Sequence, residues 1–165
     1  MYQVGERVIY GIHGICRITG TEERTVDRKK VSYFVLEPMD QPDSKYLVPS
    51  QNPAALAKLC RIMSREELQA LLASKEVRQN AWIPDENLRK QTYRELINSG
   101  DRMRLLCMVR ALLTHRQEQE AAGRKFHLCD ENFLRDARKL LSAEFSLVLG
   151  IPQDEVGEYL QEKLG

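Results

Sequence analysis

The sequence predicts an α+β protein of two domains, a small N-terminal β-barrel followed by a compact all-α domain. Residues 1–52 are rich in Val, Ile, Tyr and Thr, with Gly and Pro between the runs, which is typical of short strands. From about residue 53 the apolar residues change to helical spacing. The 165-residue chain is 42% hydrophobic, which is enough for two small domains with cores of their own.

Four or five short strands are expected in residues 1–52. The stretch RVIYGIHGICRITGTEERTV is divided by Gly11, Gly14 and Gly20, and DRKK follows it as a polar turn. VSYFVLEP and KYLVPS are two further strands, each of which ends near a proline. So many strands in so few residues cannot form a sandwich, and they indicate a strongly bent Tudor-like or SH3-like barrel.

Two local signals mark the change to helical structure. Asn52 can cap a short helix with Pro53 at its first position. Ser64 and Glu67 have the spacing of a capping box in front of the helix REELQALLAS. We therefore divide the chain into a barrel at 1–52, a linker with a short helix at 53–63, and a helical domain at 64–165.

Three longer helices are predicted by their ends and their apolar faces. Each stops at a glycine, the residue that most readily adopts the left-handed conformation after a helix; the predicted spans are 85–100, 101–123 and 130–150. The apolar positions of the middle helix lie on one stripe: Leu105, Leu106, Val109, Leu112 and Leu113. The first has Leu88, Tyr93, Leu96 and Ile97 near helical spacing, and PQDEVGEYLQEKL forms a last short helix.

Charge and motif patterns argue against several function classes. The net charge of +1 provides no global attraction to nucleic acid or membrane, and no apolar run is long enough to span a bilayer. The N-terminus lacks the pattern of a signal peptide, so we expect a cytoplasmic protein. The four cysteines form no CxxC pair, and we expect neither a metal nor a cofactor. We find no phosphate loop and no nucleophile elbow, so we expect a protein that is not an enzyme.

Basic residues are concentrated in the helical domain. They outnumber acidic residues between positions 75 and 139 and occur in clusters, of which the candidate phosphate ligands are Arg89, Lys90, Arg94, Arg124, Lys125, Arg138 and Lys139. Arg135, Arg138 and Lys139 are spaced i, i+3 and i+4 and so share a helix face. Such a face can bind phosphates, although it can equally be an ordinary solvated surface.

Trp82, the only tryptophan, lies in the polar stretch QNAWIPDENLRKQ. Composition alone favours a boundary residue whose ring caps the helical domain, packed on Leu88 or on a leucine stripe. The alternative is an exposed or half-exposed ring whose apolar partner lies outside the chain. Both interpretations remain open at this level.

Five stretches along the chain have the order found in one known family. They are the opening YQVGERVIYGIHGICRI, the strands YFVLEP and YLVPSQN, the block AWIPDENLRKQTYRELINSGD, and the helix LRDARKLLSAEFSLVLGI. Together they resemble the CarD/CdnL family of bacterial transcription regulators over nearly the whole chain. The N-terminal module also resembles that of the transcription-repair coupling factor, whose helicase motifs are not found in this sequence.

The resemblance implies a regulator that binds RNA polymerase. Its Tudor-like domain would dock on the protrusion of the β subunit, with Arg24 at the position of a polymerase-contacting basic residue. Tyr46, Leu47 and Pro49, at the end of the last barrel strand, would complete the contact. Leu47 stands where one branch of the family has arginine, so this contact would be more apolar here. The exposed strand SKYLVP could also add to a partner's sheet.

The resemblance further implies that the helical domain contacts promoter DNA near the upstream edge of the −10 element. Trp82 would wedge into the minor groove at the fork of the opening bubble and stabilise the open complex, and Arg89 and Lys90 match the family's basic pair. We expect low sequence specificity, a monomer, no membrane partner, and association with the nucleoid through the polymerase. The alternative is an adaptor that docks on polymerase or another partner without DNA contact. The spacing from Trp82 to Gly100 is about two residues longer than in one branch of the family, with Pro84 in the extra length, and would present the tryptophan differently. This displacement and the acidic residues in the helix from 130 favour the alternative.

Overall fold

The computed structural model describes residues 2–79 and 82–165 and divides into two compact units, the first ending at Ile62 and the second spanning Met63–Gly165. The first is built on an antiparallel sheet and the second is helical. The predicted two-domain α+β fold class is confirmed.

The first unit contains a five-stranded antiparallel sheet within the described residues. Its strands are β1 (Arg7–Tyr10), β2 (Ile15–Val26), β3 (Lys29–Pro38), β4 (Tyr46–Pro49) and β5 (Leu59–Arg61). Their order in the sheet is β4-β3-β2-β1-β5, so that β4 and β5 are the edge strands. The apolar side chains of all five strands meet in one core: Val8, Cys16, Ile18, Phe34, Leu36, Val48 and Leu59.

A long hairpin of β2 and β3 extends beyond the rest of the sheet. Asp27 and Arg28 form its two-residue turn with φ values of 50° and 65°, the left-handed conformation that suits the twist of a tight hairpin. Lys29 and Lys30 already belong to β3, so the turn is shorter than the predicted DRKK. Because β4 pairs only with residues 33–36 of β3, no other strand among the described residues lies beside the end of the hairpin.

Residues 53–63, which the sequence predicts as a linker with a short helix, contain helix α1 (Pro53–Leu56) and strand β5. Asn52 caps α1 as predicted, and its Oδ1 accepts hydrogen bonds from the amides of Ala54 and Ala55. Strand β5 pairs with β1 and places Leu59 in the core of the sheet, where only 4% of it is exposed. A three-residue strand carries too little alternation to be recognised from sequence.

The second unit consists of six helices within the described residues. They are α2 (Arg65–Leu72), α3 (Lys75–Arg78), α4 (Glu86–Ser99), α5 (Arg102–Ala121), α6 (Leu128–Leu149) and α7 (Gln153–Leu164). The predicted capping box is present at α2, because Ser64 and Glu67 each accept a hydrogen bond from the other's amide. Gly100 and Gly150 end α4 and α6 in the left-handed conformation, as predicted.

The predicted stripe of α5 forms the centre of the helical core. All five of its members are at most 2% exposed. Leu88 of α4 differs from the prediction, since it is 54% exposed while the neighbouring Arg89 is buried. Helix α4 is therefore rotated so that a charged residue faces the core, and the reason lies in α6.

Helix α6 begins at Leu128, two residues earlier than predicted. The sequence predicts that Asp130 opens the helix, but Asp130 lies in the first turn and is completely buried, with its carboxylate bound to Arg89. His127 occupies the cap position without a side-chain hydrogen bond. No helix in the described part of the chain is long and apolar enough to cross a membrane.

Candidate functional site

Trp82 lies at the margin of the helical core and is half-buried. Its indole stacks on the imidazole of His115, with ring centroids 3.7 Å apart and planes inclined by 14°. The guanidinium carbon of Arg89 lies 4.4 Å from the centroid of the indole. Trp82 therefore packs against the leucine-rich helical core, as the boundary interpretation expects, and its ring also contacts a histidine from α5 and an arginine from α4 that the sequence did not suggest.

His115 sits in a partly buried, mixed environment. Its Nε2 is 3.3 Å from Nε2 of Gln119, its Nδ1 is 3.9 Å from the carboxylate of Glu118, and the ring of Phe126 lies 6.2 Å away. Burial lowers the pKa of His115, and the positive charges of Arg89 and His127 act in the same direction. The neutral imidazole is therefore the form favoured in the folded protein.

Arg89 and Asp130 form a bidentate ion pair inside the helical unit. Nε of Arg89 donates to Oδ1 of Asp130 at 2.9 Å, and the second nitrogen donates to Oδ2 at 3.1 Å. Arg89 is 4% exposed and Asp130 is completely buried. Burial opposes the charge of Arg89, but the hydrogen bond and attraction to Asp130 outweigh it, so its pKa is raised. Planar, paired contacts of this kind are among the strongest in proteins.

The remaining guanidinium nitrogen of Arg89 holds the segment that follows Trp82. It donates to the carbonyl of Ile83 at 3.0 Å and to that of Pro84 at 3.5 Å. Arg89 thus contacts the indole, fixes the two residues after it, and is itself fixed by Asp130. With its donors used in this way, Arg89 supports the tryptophan segment, and its role as a phosphate ligand stays a prediction. The charge pattern could not reveal this, because Asp130 lies 41 residues away in the chain.

Other predicted phosphate ligands of the helical unit lie on its surface. Lys90 forms an ion pair with Glu86 one turn before it on α4, at 2.9 Å, and Arg94 is exposed one turn further on. The hydrogen bond to Glu86 raises the pKa of Lys90. Arg124 and Lys125 are exposed in the connection between α5 and α6. These four side chains are accessible to an anion.

Arg138 and Lys139 occupy a different part of α6. Eight residues separate Arg138 from Asp130, which is about 12 Å along a helix axis. Lys139 is exposed, whereas Arg138 is partly buried against Gly157 of α7, and burial together with Arg116 lowers the pKa of Arg138. Nε and one terminal nitrogen of Arg138 are buried without a hydrogen-bond partner. Burial limits the access of a phosphate to Arg138, while Lys139 remains accessible.

The predicted polymerase contacts lie in the sheet unit. Arg24 is exposed on the β2–β3 hairpin, opposite Val31, and forms an ion pair with Glu22 at 2.8 Å. Pro49 is opposite Tyr33, so Arg24 and Pro49 lie two strands apart and about 7 Å apart along the strand direction.

Edge strand β4 presents different side chains on its two faces. Tyr46 turns toward the core, where its ring contacts those of Tyr10 and His13 at 5.5 and 4.5 Å. Leu47 points to the opposite face and is paired across the strands with Val35. Leu47 therefore offers apolar surface on the face of β4 opposite to Tyr46, which is held mainly by its aromatic neighbours.

Two family models match the chain. The model described as the CarD-like/TRCF RID domain matches residues 2–60, and the model described as the CarD C-terminal domain matches residues 56–161. A search of curated proteins found no significant match. Together the two models cover nearly the whole chain, and the second alone covers more than half of it. The chain therefore belongs to the CarD-like family of non-enzymatic transcription regulators that interact with RNA polymerase.

Proposed function

We propose that this protein docks on the β subunit of RNA polymerase through its sheet unit and stabilises the open promoter complex through Trp82. It acts as a monomer in the cytoplasm, at the nucleoid, and reads little DNA sequence. The half-buried indole, supported by Arg89 and His115, is the observation on which this proposal mainly depends.

An aromatic ring that is held in place by its neighbours is suited to act as a wedge between DNA bases. An apolar side chain that enters a base step must keep its orientation while it unstacks the bases, which costs a few kcal/mol. One side of the indole is held by His115, and the carbonyls of the two following residues are held by Arg89. The part of the ring that remains exposed can contact a base without first losing its internal contacts.

The expected energetic effect is modest. Packing of an aromatic ring on a base contributes about 1–3 kcal/mol. A contact made only with the opened DNA would therefore raise the population of the open complex by roughly one order of magnitude, and at most about two. Docking on polymerase raises the local concentration of the helical unit at the promoter. Tight binding to free DNA is then unnecessary, in agreement with the net charge of +1.

Exposed basic residues supply the phosphate contacts in this proposal. Lys90 and Arg94 lie on one face of α4, the helix that also carries Arg89. Arg124 and Lys125 follow α5, whose His115 supports the indole. Contacts with phosphates position a protein but carry little sequence information, which agrees with low specificity.

The sheet unit supplies the polymerase contact. The side chain of Arg24 is 57% exposed on the hairpin, and the edge strand β4 leaves one row of backbone groups without a neighbouring strand in the described part of the sheet. A strand of the β subunit could pair with this edge, with Leu47 contributing apolar surface. Pro49 at the end of β4 has no amide proton and would limit the length of such pairing.

The lifetime of the open complex tests the role of Trp82. We expect Trp82→Ala to retain polymerase binding and to shorten the lifetime by about fivefold to a hundredfold, the range that corresponds to about 1–3 kcal/mol. Leu88→Ala is the matched control, since it removes an exposed apolar side chain from the adjoining helix. Unchanged lifetime with Trp82→Ala would contradict the wedge.

A pull-down with the β subunit tests the docking face. Arg24→Glu should weaken binding, because an acidic side chain replaces an exposed basic one on the hairpin. Lys58→Glu makes the same change of charge next to β5, the opposite edge of the sheet, and should leave binding unchanged. Equal binding by the two variants would remove Arg24 from the interface.

An adaptor without DNA contact is the second candidate function. It is favoured by one observation, that Trp82 already has partners within the protein and Arg89 is neutralised by Asp130. Footprinting of a polymerase–promoter complex separates the two functions. Protection at the upstream edge of the −10 element that depends on the protein supports the wedge, and its absence supports the adaptor.

A further inference from the structure

Trp82 stacks on His115, whose imidazole can gain a proton when the solution is acidified. We propose that His115 positions the indole of Trp82 and that only its neutral imidazole holds the ring in this stack. The presentation of Trp82 would then respond to acidification. The proposal deepens the proposed function and rests on it for its meaning at a promoter, although the stack itself is a property of the free protein.

The geometry of the stack supports a positioning role. A centroid distance of 3.7 Å with planes 14° apart places the two rings face to face over much of their area. His115 comes from the middle of the long helix α5, whose neighbouring turns contribute Leu112 and Leu113 to the core. The imidazole is therefore anchored to a helix that packs in the core of the unit, and the indole is aligned on it.

Arg89 explains why a second cation beside the indole is unfavourable. Its guanidinium already lies 4.4 Å from the ring centroid, a distance at which a cation is attracted to the π-system. An imidazolium at position 115 would bring another positive charge to the same indole. In a partly buried site this repulsion is only weakly screened.

The other charged groups around His115 do not reverse this balance. Asp130 of α6 attracts a proton to His115, but both of its oxygens are bound to Arg89 of α4. Glu118, on the same helix as His115, also attracts a proton, but its side chain is 70% exposed. His127, at the start of α6, opposes protonation when it is itself charged. Burial has the largest effect, and together with Arg89 and His127 it outweighs the two carboxylates and keeps the pKa of His115 below its ordinary value of 6.5.

Fluorescence of the full-length protein tests the proposal directly, because Trp82 is the only tryptophan. If protonation of His115 releases the stack, the face of the indole that His115 covers becomes exposed to water and to a soluble quencher. Between pH 8 and pH 5 we expect the emission and the acrylamide quenching of the native protein to change in one transition with its midpoint below 6.5.

Three variants test whether protonation of His115 causes this transition. His115→Phe keeps an aromatic face without a proton, so it should retain the quenching behaviour seen at pH 8 and lose the transition. His115→Ala should show increased acrylamide quenching at every pH. His127→Gln removes the neighbouring exposed histidine and should keep the transition. A transition that persists in His115→Phe, or His115→Ala with unchanged quenching at pH 8, would overturn the proposal.

Open-complex lifetime separates the failure of this inference from failure of the proposed function. If Trp82→Ala leaves the lifetime unchanged while the fluorescence transition depends on His115, the wedge fails and the stack stands. If Trp82→Ala shortens the lifetime but the transition persists in His115→Phe, the wedge stands and the positioning role fails.

Discussion

Removal of one partner of the Arg89–Asp130 pair should destabilise the helical unit strongly. Arg89→Ala leaves the carboxylate of Asp130 completely buried without its counterion and deletes the bonds to the carbonyls of Ile83 and Pro84. Breaking a buried ion pair in this way costs about 3–5 kcal/mol. A domain of this size has a total free energy of unfolding of about 5–15 kcal/mol, so the loss is a large fraction of the whole.

Chemical denaturation followed by circular dichroism and by the emission of Trp82 measures this loss. The double variant Arg89→Met/Asp130→Leu is the informative control, because apolar replacement of both partners is often nearly neutral. We expect it to be more stable than Arg89→Ala by about 2 kcal/mol or more. The reasoning is refuted if Arg89→Ala lowers the free energy of unfolding by less than about 1 kcal/mol. It is also refuted if the separate effects of Arg89→Met and Asp130→Leu on this free energy add up to the effect of the double variant.

Three further predictions concern the core, a helix cap and pH. Leu106→Ala, at a completely buried position of α5, should lower the free energy of unfolding by about 2–5 kcal/mol, whereas Leu88→Ala at a 54% exposed position should change it by about 0.5 kcal/mol or less; denaturant midpoints compare the two. Ser64→Ala removes the hydrogen bond to the amide of Glu67 and should cost about 1 kcal/mol, which a loss of more than about 3 kcal/mol would contradict. Because the folded-state pKa of His115 lies below 6.5, its contribution to stability is present above pH 6.5 and is lost as pH falls toward the folded-state value. The free energy of unfolding of the native protein should therefore fall more between pH 7 and pH 5 than that of His115→Phe, and parallel profiles would exclude this linkage.

Most of the secondary structure could be predicted from patterns among residues close together in the chain. The capping box at Ser64, the cap at Asn52, and the glycines that end α4 and α6 all function as predicted, since each acts within one turn of its own helix. The stripe of α5 was equally predictable, because a buried helix face repeats with the helical period. Local signals failed at β5, which is too short to show alternation, and at the start of α6, where Asp130 has a partner in another helix.

The candidate site shows the same division between local and distant information. Trp82 stood out in the sequence because a large apolar ring is unusual among so many polar residues. Its stacking partner His115 could not be identified from the sequence. It lies 33 residues further along, and a single histidine in an amphipathic helix forms no distinctive pattern. The sequence pointed to the basic residues as a group, but it could not show that Arg89 is buried while Lys90, its neighbour, remains near the surface.

By itself the sequence determined the two-domain fold class, the glycine ends of α4 and α6, the apolar face of α5 and the family resemblance, because these depend on residues close together in the chain or on motif order. Only the tertiary structure decided which charges are available to a ligand and what holds the tryptophan. Burial of a charged side chain requires a counterion at the right distance, and for Arg89 that counterion is 41 residues away. The packing of α4, α5 and α6 likewise brings together residues that are far apart in the chain, and it places Arg89 and His115 against the ring of Trp82.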